Sequence, residues 1–94
     1  MATKTDLPRF ELGQLYATPN ALSRISFEHV LAALMRHVSC DWGEVCKEDW
    51  EANDQSLIDG TRLLSVYKPA DGEGFWIITE ADRSLTIVLM PEDY

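Results

Sequence analysis

The sequence predicts an α+β fold in which N-terminal helices pack on a C-terminal, three-stranded antiparallel β-meander. Three observations predict it. Apolar residues recur at helical spacing over residues 27–38, and a second helical face follows over residues 46–59. β-Branched and aromatic runs dominate the rest. Residues 75–90, FWIITEADRSLTIVLM, divide into two strands around a polar turn. Helices followed by strands in this order place the helices against one side of an antiparallel sheet.

The hairpin carries the most detail. Asp82 and Ser84 suit a turn because their side chains bond nearby backbone groups. A turn centred on Asp82 and Arg83 sets Glu80 opposite Leu85, Ile78 opposite Ile87 and Trp76 opposite Leu89. Alternation then gives one face with Trp76, Ile78, Glu80, Leu85, Ile87 and Leu89. The other face holds Phe75, Ile77, Thr79, Thr86, Val88 and Met90. Both faces are apolar away from the turn, so both need cover. Helices are expected on one, and the N-terminal segment or a partner on the other. Pro91 ends the second strand, since it has no N–H for the ladder.

The remaining elements follow in order. Residues 1–8 are expected to be frayed. Phe10, Leu12, Leu15 and Tyr16, interrupted by Gly13, read as a short N-terminal edge strand or an extended cover. Thr18-Pro19 starts a short helix, with Thr as N-cap and Pro in the first turn. Ser26 caps a second helix over residues 27–38, whose stripe is Phe27, Val30, Leu31, Leu34 and Val38, with His37 on its flank. A loop containing Gly43 leads to a third helix over residues 46–59, which Gly60 terminates. Asn53 falls among Cys46, Trp50 and Leu57 on that helix, so if buried it requires hydrogen-bond partners. Residues 61–68 form the first strand of the meander, and residues 69–74 a Pro- and Gly-containing loop.

Composition bounds the function. Ninety-four residues make one domain, residues 1–94, with a small core. Sixteen acids against eight bases leave a net charge of −8, which disfavours direct contact with nucleic-acid backbones or anionic membranes. No run is long enough to span a membrane and none resembles a signal peptide, so the cytoplasm is the expected location. Two cysteines in that setting read as free thiols.

Three constellations bear on chemistry. Asp41, Glu44, Glu48, Asp49, Glu51, Asp54 and Asp59 stand against Lys47 alone, a net −6 within one segment. That concentration suits an electrostatic surface for a basic protein site, with Trp42 as an aromatic anchor. The plainer reading, and the commoner role of such a charge run, is an ordinary solvated helix face with Trp50 in the core. His37, Cys40 and Cys46 match no common zinc spacing and lack a fourth ligand, so no metal and no cofactor is expected. His37, Tyr67, Glu80 and Arg83 are the alternative set: a base, an acid and a cation, as a small ribonuclease needs. The acidity of the chain weighs against that reading, and a non-enzymatic role is preferred.

Several runs carry a resemblance. They are Arg36-His37, Asp41-Trp42-Gly43, Asp49 with Asn53, RLLSVY at 62–67, WIITEADRS at 76–84, Thr86, and LMPEDY at 89–94. Over residues 12–94 the chain resembles a family of small bacterial proteins of plasmids, integrated elements and phages, often labelled plasmid-related. Cys40 departs from the small residue, such as Gly, expected there. The family has no established activity to transfer. Its setting implies mobile-element biology, and small acidic proteins of that setting resemble inhibitors of host CRISPR or restriction complexes. The expectation is therefore an interaction protein that blocks a basic nucleic-acid site on a host defence complex. The alternatives are a ribonuclease-like toxin, or its degenerate relative, and a homodimeric module.

Overall fold

The computed structural model describes residues 9–94, so the expectation for residues 1–8 lies outside the described residues. Strand β1 (Gln14–Ala17) is followed by helices α1 (Pro19–Arg24), α2 (Phe27–Val38) and α3 (Lys47–Asp59). Strands β2 (Leu63–Tyr67), β3 (Phe75–Thr79) and β4 (Leu85–Leu89) follow, and a 3₁₀ turn, Pro91–Asp93, comes after them. The fold is α+β, as expected, but the sheet is mixed and four-stranded, in the order β1-β4-β3-β2.

The meander forms with the expected register. Trp76 pairs with Leu89 and Ile78 with Ile87, and the Glu80 N–H donates to the Leu85 carbonyl at 3.0 Å. Of the two alternatives for the N-terminal segment the edge strand forms, as β1; the correction is that it makes the sheet mixed, joining β4 in parallel with Leu15 beside Thr86 and Ala17 beside Val88. A parallel neighbour requires a crossover. Here that crossover is most of the chain, which a local reading of a broken apolar pattern does not reveal. Gly13 makes the approach possible. It sits at φ +66°, and a Cβ there would come within 2.2 Å of the Ser84 carbonyl oxygen.

The helix caps follow the sequence. Thr18 and Ser26 accept from the N–H groups of Ala21 and His29, and Gly60 closes α3 in the left-handed region at φ 74°. Helices α1 and α2 supply Ala21, Ile25, Ala33 and Leu34 to a core shared with Tyr67, Phe75, Ile77, Val88 and Met90. On the opposite sheet face Ile78 and Leu89 are buried, and Trp76 meets the Tyr94 ring with centroids 5.5 Å apart. Among the described residues it is thus the C-terminal Tyr94, not the N-terminal segment, that packs against Trp76.

Helix α2 is rotated from its expected setting. Its buried side is Ala33, Leu34 and His37, with Val30 partly buried, whereas Phe27 is 76% exposed. The expected stripe is split: half enters the core and half faces outward. His37 stands in line with Val30 and becomes a core residue, because the sheet beneath it offers hydroxyls.

Candidate functional site

Two regions hold the residues singled out by sequence, and they differ in character. The first is buried. His37 has no exposed surface and joins Ser65, Thr79 and Thr86 beneath α2. The hydrogen atoms in this layer can be assigned. The Leu12 carbonyl only accepts, so Thr86 donates to it at 2.7 Å. Thr86 therefore accepts from Thr79, 2.7 Å away. Thr79, its proton spent, accepts from Nε2–H of His37 at 2.9 Å. Burial holds His37 neutral and lowers its pKa to about 3, with the positive charge of Arg83 acting in the same direction. Nδ1 is then an acceptor and takes the Ser65 hydroxyl at 2.6 Å. One chain of bonds runs in one direction from Ser65 to the Leu12 carbonyl, and every ring nitrogen is used.

Aromatic rings seal the layer. Phe10 and Trp42 meet the His37 ring edge-on, at 5.2 and 5.6 Å between centroids. Trp42 has no exposed surface, and its indole N–H donates to Asp54 at 3.0 Å. Trp42 is thus a core residue and not the surface anchor expected from sequence. The aromatic character was legible, but its destination depended on a neighbouring His that sequence placed at a flank.

The four residues of the ribonuclease-like set do not meet in a cleft. His37 has no free nitrogen to exchange a proton with a substrate. The Tyr67 hydroxyl donates to the Asp41 carbonyl at 2.7 Å, and burial raises its pKa. Glu80 follows the inward-facing Thr79 and turns toward the other sheet face. Arg83 is spent on backbone. Its guanidinium donates to the carbonyls of Thr61, Glu80 and Ala81, and to that of Ser56 at 3.1 Å. Arg83 itself lies at φ 60°, a left-handed conformation held by these bonds. The polar turn is therefore a clamp that ties the hairpin to the end of α3.

The second region is the sheet edge at β2, where the acidic segment runs. Gly43 forms a parallel bridge with Val66, the Val66 N–H donates to the Trp42 carbonyl, and the Glu44 N–H donates to the Val66 carbonyl. Gly43 lies at φ +78°, and a Cβ there would sit 2.0 Å from the Val66 oxygen, so only glycine fits. Two residues along the strand, Asn53 grips Leu64. Its amide donates to the Leu64 carbonyl at 2.7 Å, and its carbonyl accepts the Leu64 N–H at 3.1 Å. The partners demanded of a buried Asn53 are thus main-chain atoms, and an open strand edge is closed.

The acids divide into structural and free groups. Asp41 takes a forked pair of hydrogen bonds from Arg36 at 2.8 and 3.1 Å and accepts the Gly43 N–H. The Arg36 bonds hold its carboxyl below the usual range. Asp54 holds Trp42, and Asp59 accepts from Gln55. Glu44, Glu48, Asp49 and Glu51 are exposed, and among the described residues none forms an ion pair. Glu48 and Asp49 lie in the first turn of α3, where negative charge suits the helix dipole.

Cys40 and Cys46 are free thiols. Cys40 adopts φ 66°, the conformation that glycine takes without strain, which accounts for a small residue being expected there. Among the described residues no group of three His, Cys, Asp or Glu side chains is arranged to hold a metal ion. Nor is any described helix long and apolar enough to cross a membrane. No protein-family model matches the chain, and neither a curated protein nor a solved structure matches it.

Proposed function

We propose that this chain is a non-enzymatic interaction protein whose α3 face occupies a basic, nucleic-acid-binding site on a protein partner. Glu44, Glu48, Asp49 and Glu51 are the contact residues. The observation that carries the reading is their exposure without ion-pair partners among the described residues, with Glu48, Asp49 and Glu51 on a helix fixed to the sheet edge and Glu44 in the turn before it. Carboxylates clustered on a held scaffold, with Glu48 and Glu51 one turn apart, offer a patch of negative charge that a phosphate-binding groove accepts. Asp41, Trp42 and Asp54 support this surface from behind and do not touch the partner. Together with the resemblance to small proteins of mobile elements, the acidity makes host CRISPR or restriction complexes the partner class.

The test is capture of purified effector complexes, with and without their nucleic acid, by the chain and by one variant. The variant is Glu44→Lys, Glu48→Gln, Asp49→Asn and Glu51→Lys, which spares the helix dipole from full reversal. Binding that weakens with salt, competes with nucleic acid and vanishes in the variant supports the reading. Equal binding by the variant rejects the surface, and no binding to any basic effector rejects the partner class.

A further inference from the structure

The far edge of the sheet points to a second interaction surface. β1 closes the strand order, and no described strand borders its outer side. The N–H groups of Gln14 and Thr18 donate inward, to the Ser84 and Val88 carbonyls of the β4 segment. By alternation Leu15 and Ala17 present their peptide groups outward. Beside that edge lies an apolar groove of about 450 Å³, formed by β1, α1 and α2. Phe27 and Leu22 on its wall are 76% and 69% exposed, and Leu15, Tyr16 and Leu31 are half exposed.

We propose that two copies of the chain join through this edge, β1 against β1 across a two-fold axis, each groove receiving the apolar residues of the other. Three features select a second copy as the occupant. The first is area. At roughly 200 Å² for a fully exposed large side chain, these five residues present about 600 Å² of apolar surface. That reaches the top of the range found on monomers and suffices for the apolar centre of an interface of about 800 Å² per partner. The second is symmetry, since a strand edge flanked by an apolar wall is self-complementary across a two-fold axis.

The third is charge. Residues 9–35 carry Glu11 and Glu28 against Arg9 and Arg24, a net charge of zero, with Asp71, Glu73, Glu92 and Asp93 bonded to this stretch from elsewhere in the chain, whereas Asp41 to Asp59 carry −6 within one segment. The acidic helix stands beyond β2, at the opposite end of the strand order. In the joined sheet the two β2 strands are seven strand spacings apart, about 34 Å. Several screening lengths of about 8 Å therefore separate the two acidic surfaces. The less acidic end of each molecule meets the same end of its copy.

The proposal is independent of the role assigned to α3. It is tested by sedimentation velocity and light scattering of the full chain from micromolar to millimolar concentration. The expected species is a dimer. In Leu15→Asp/Phe27→Asp its dissociation constant rises at least ~100-fold, because both side chains then leave a charge in the joint. Ile58→Asp, at an exposed apolar position on α3, leaves the dimer unchanged. A circular dichroism spectrum verifies that the double variant is folded. Hydrogen exchange supplies a second readout on the unaltered chain: the Leu15 and Ala17 amides slow as concentration rises. A chain that is monomeric throughout, a dimer that survives the double substitution, or Leu15 and Ala17 amides indifferent to concentration overturns the proposal.

Discussion

Helices α2 and α3 have almost the same length, twelve and thirteen residues, and are attached to the sheet by different physics. Helix α2 lies over a sheet face and inserts Ala33, Leu34 and His37 into the interior. Helix α3 stands at the sheet edge. Its only buried residues are the polar Asn53 and Ser56, and directed bonds hold it: Asn53 on Leu64, Arg83 on the Ser56 carbonyl, and Asp54 on Trp42. Burial is tolerant of detail, whereas a directed bond fails when one atom is removed. A helix held by its few inward polar groups keeps its outward positions free for charge.

The largest expected effect comes from breaking the polar layer beneath α2. His37→Ala leaves the Ser65 hydroxyl without its acceptor, leaves Thr79 bonded to Thr86 alone and opens a cavity, a loss of about 3–5 kcal/mol in chemical denaturation. Acidification attacks the same layer. The folded-state pKa of His37, about 3, lies below its ordinary value of 6.5, so its contribution is complete above pH 6.5 and is lost as pH falls toward 3. The full loss is on the order of 5 kcal/mol, and it begins before the carboxylates titrate. A stability that stays flat from pH 6.5 to 5 contradicts the neutral, Nε2-protonated assignment.

Breaking α3's attachment is expected to cost less. Asn53→Ala removes both bonds to Leu64 and leaves that peptide exposed to competing strands, a loss of about 2–3 kcal/mol. Its signature is faster amide exchange confined to α3 and β2. Arg83→Lys, which cannot span the separated carbonyls, costs about 1–2 kcal/mol and loosens the end of α3. The four-site charge variant is expected to cost less than about 1 kcal/mol, most of it from losing the two first-turn carboxylates Glu48 and Asp49. A large destabilisation there would show that the outward face of α3 is not energetically idle.

Much of the fold was legible because it is local. Strand register follows from parity around one turn, and helix bounds follow from Thr18, Ser26 and Gly60. What escaped is non-local. β1 finds its partner across some seventy residues of chain, in a register set by the close approach of Gly13 to Ser84. The site was legible in part. The acidic residues are visible in composition, but which of them are free depends on Arg36 and Trp42, whose partners only folding selects. Ser65 was missed, although it shares inward parity with Leu63 and Tyr67. A lone hydroxyl on an apolar strand face was the available signal, and His37 was its unseen complement.

The hold of Asn53 on Leu64 has one further consequence. It engages peptide atoms, which every residue type except proline supplies, so the joint does not otherwise specify the side chains around it. The outward positions of α3 can therefore be rewritten as a block while the joint stays fixed. The same scaffold then accepts a basic, neutral or aromatic recognition face, and it offers a site where binding can be redesigned without repacking the interior.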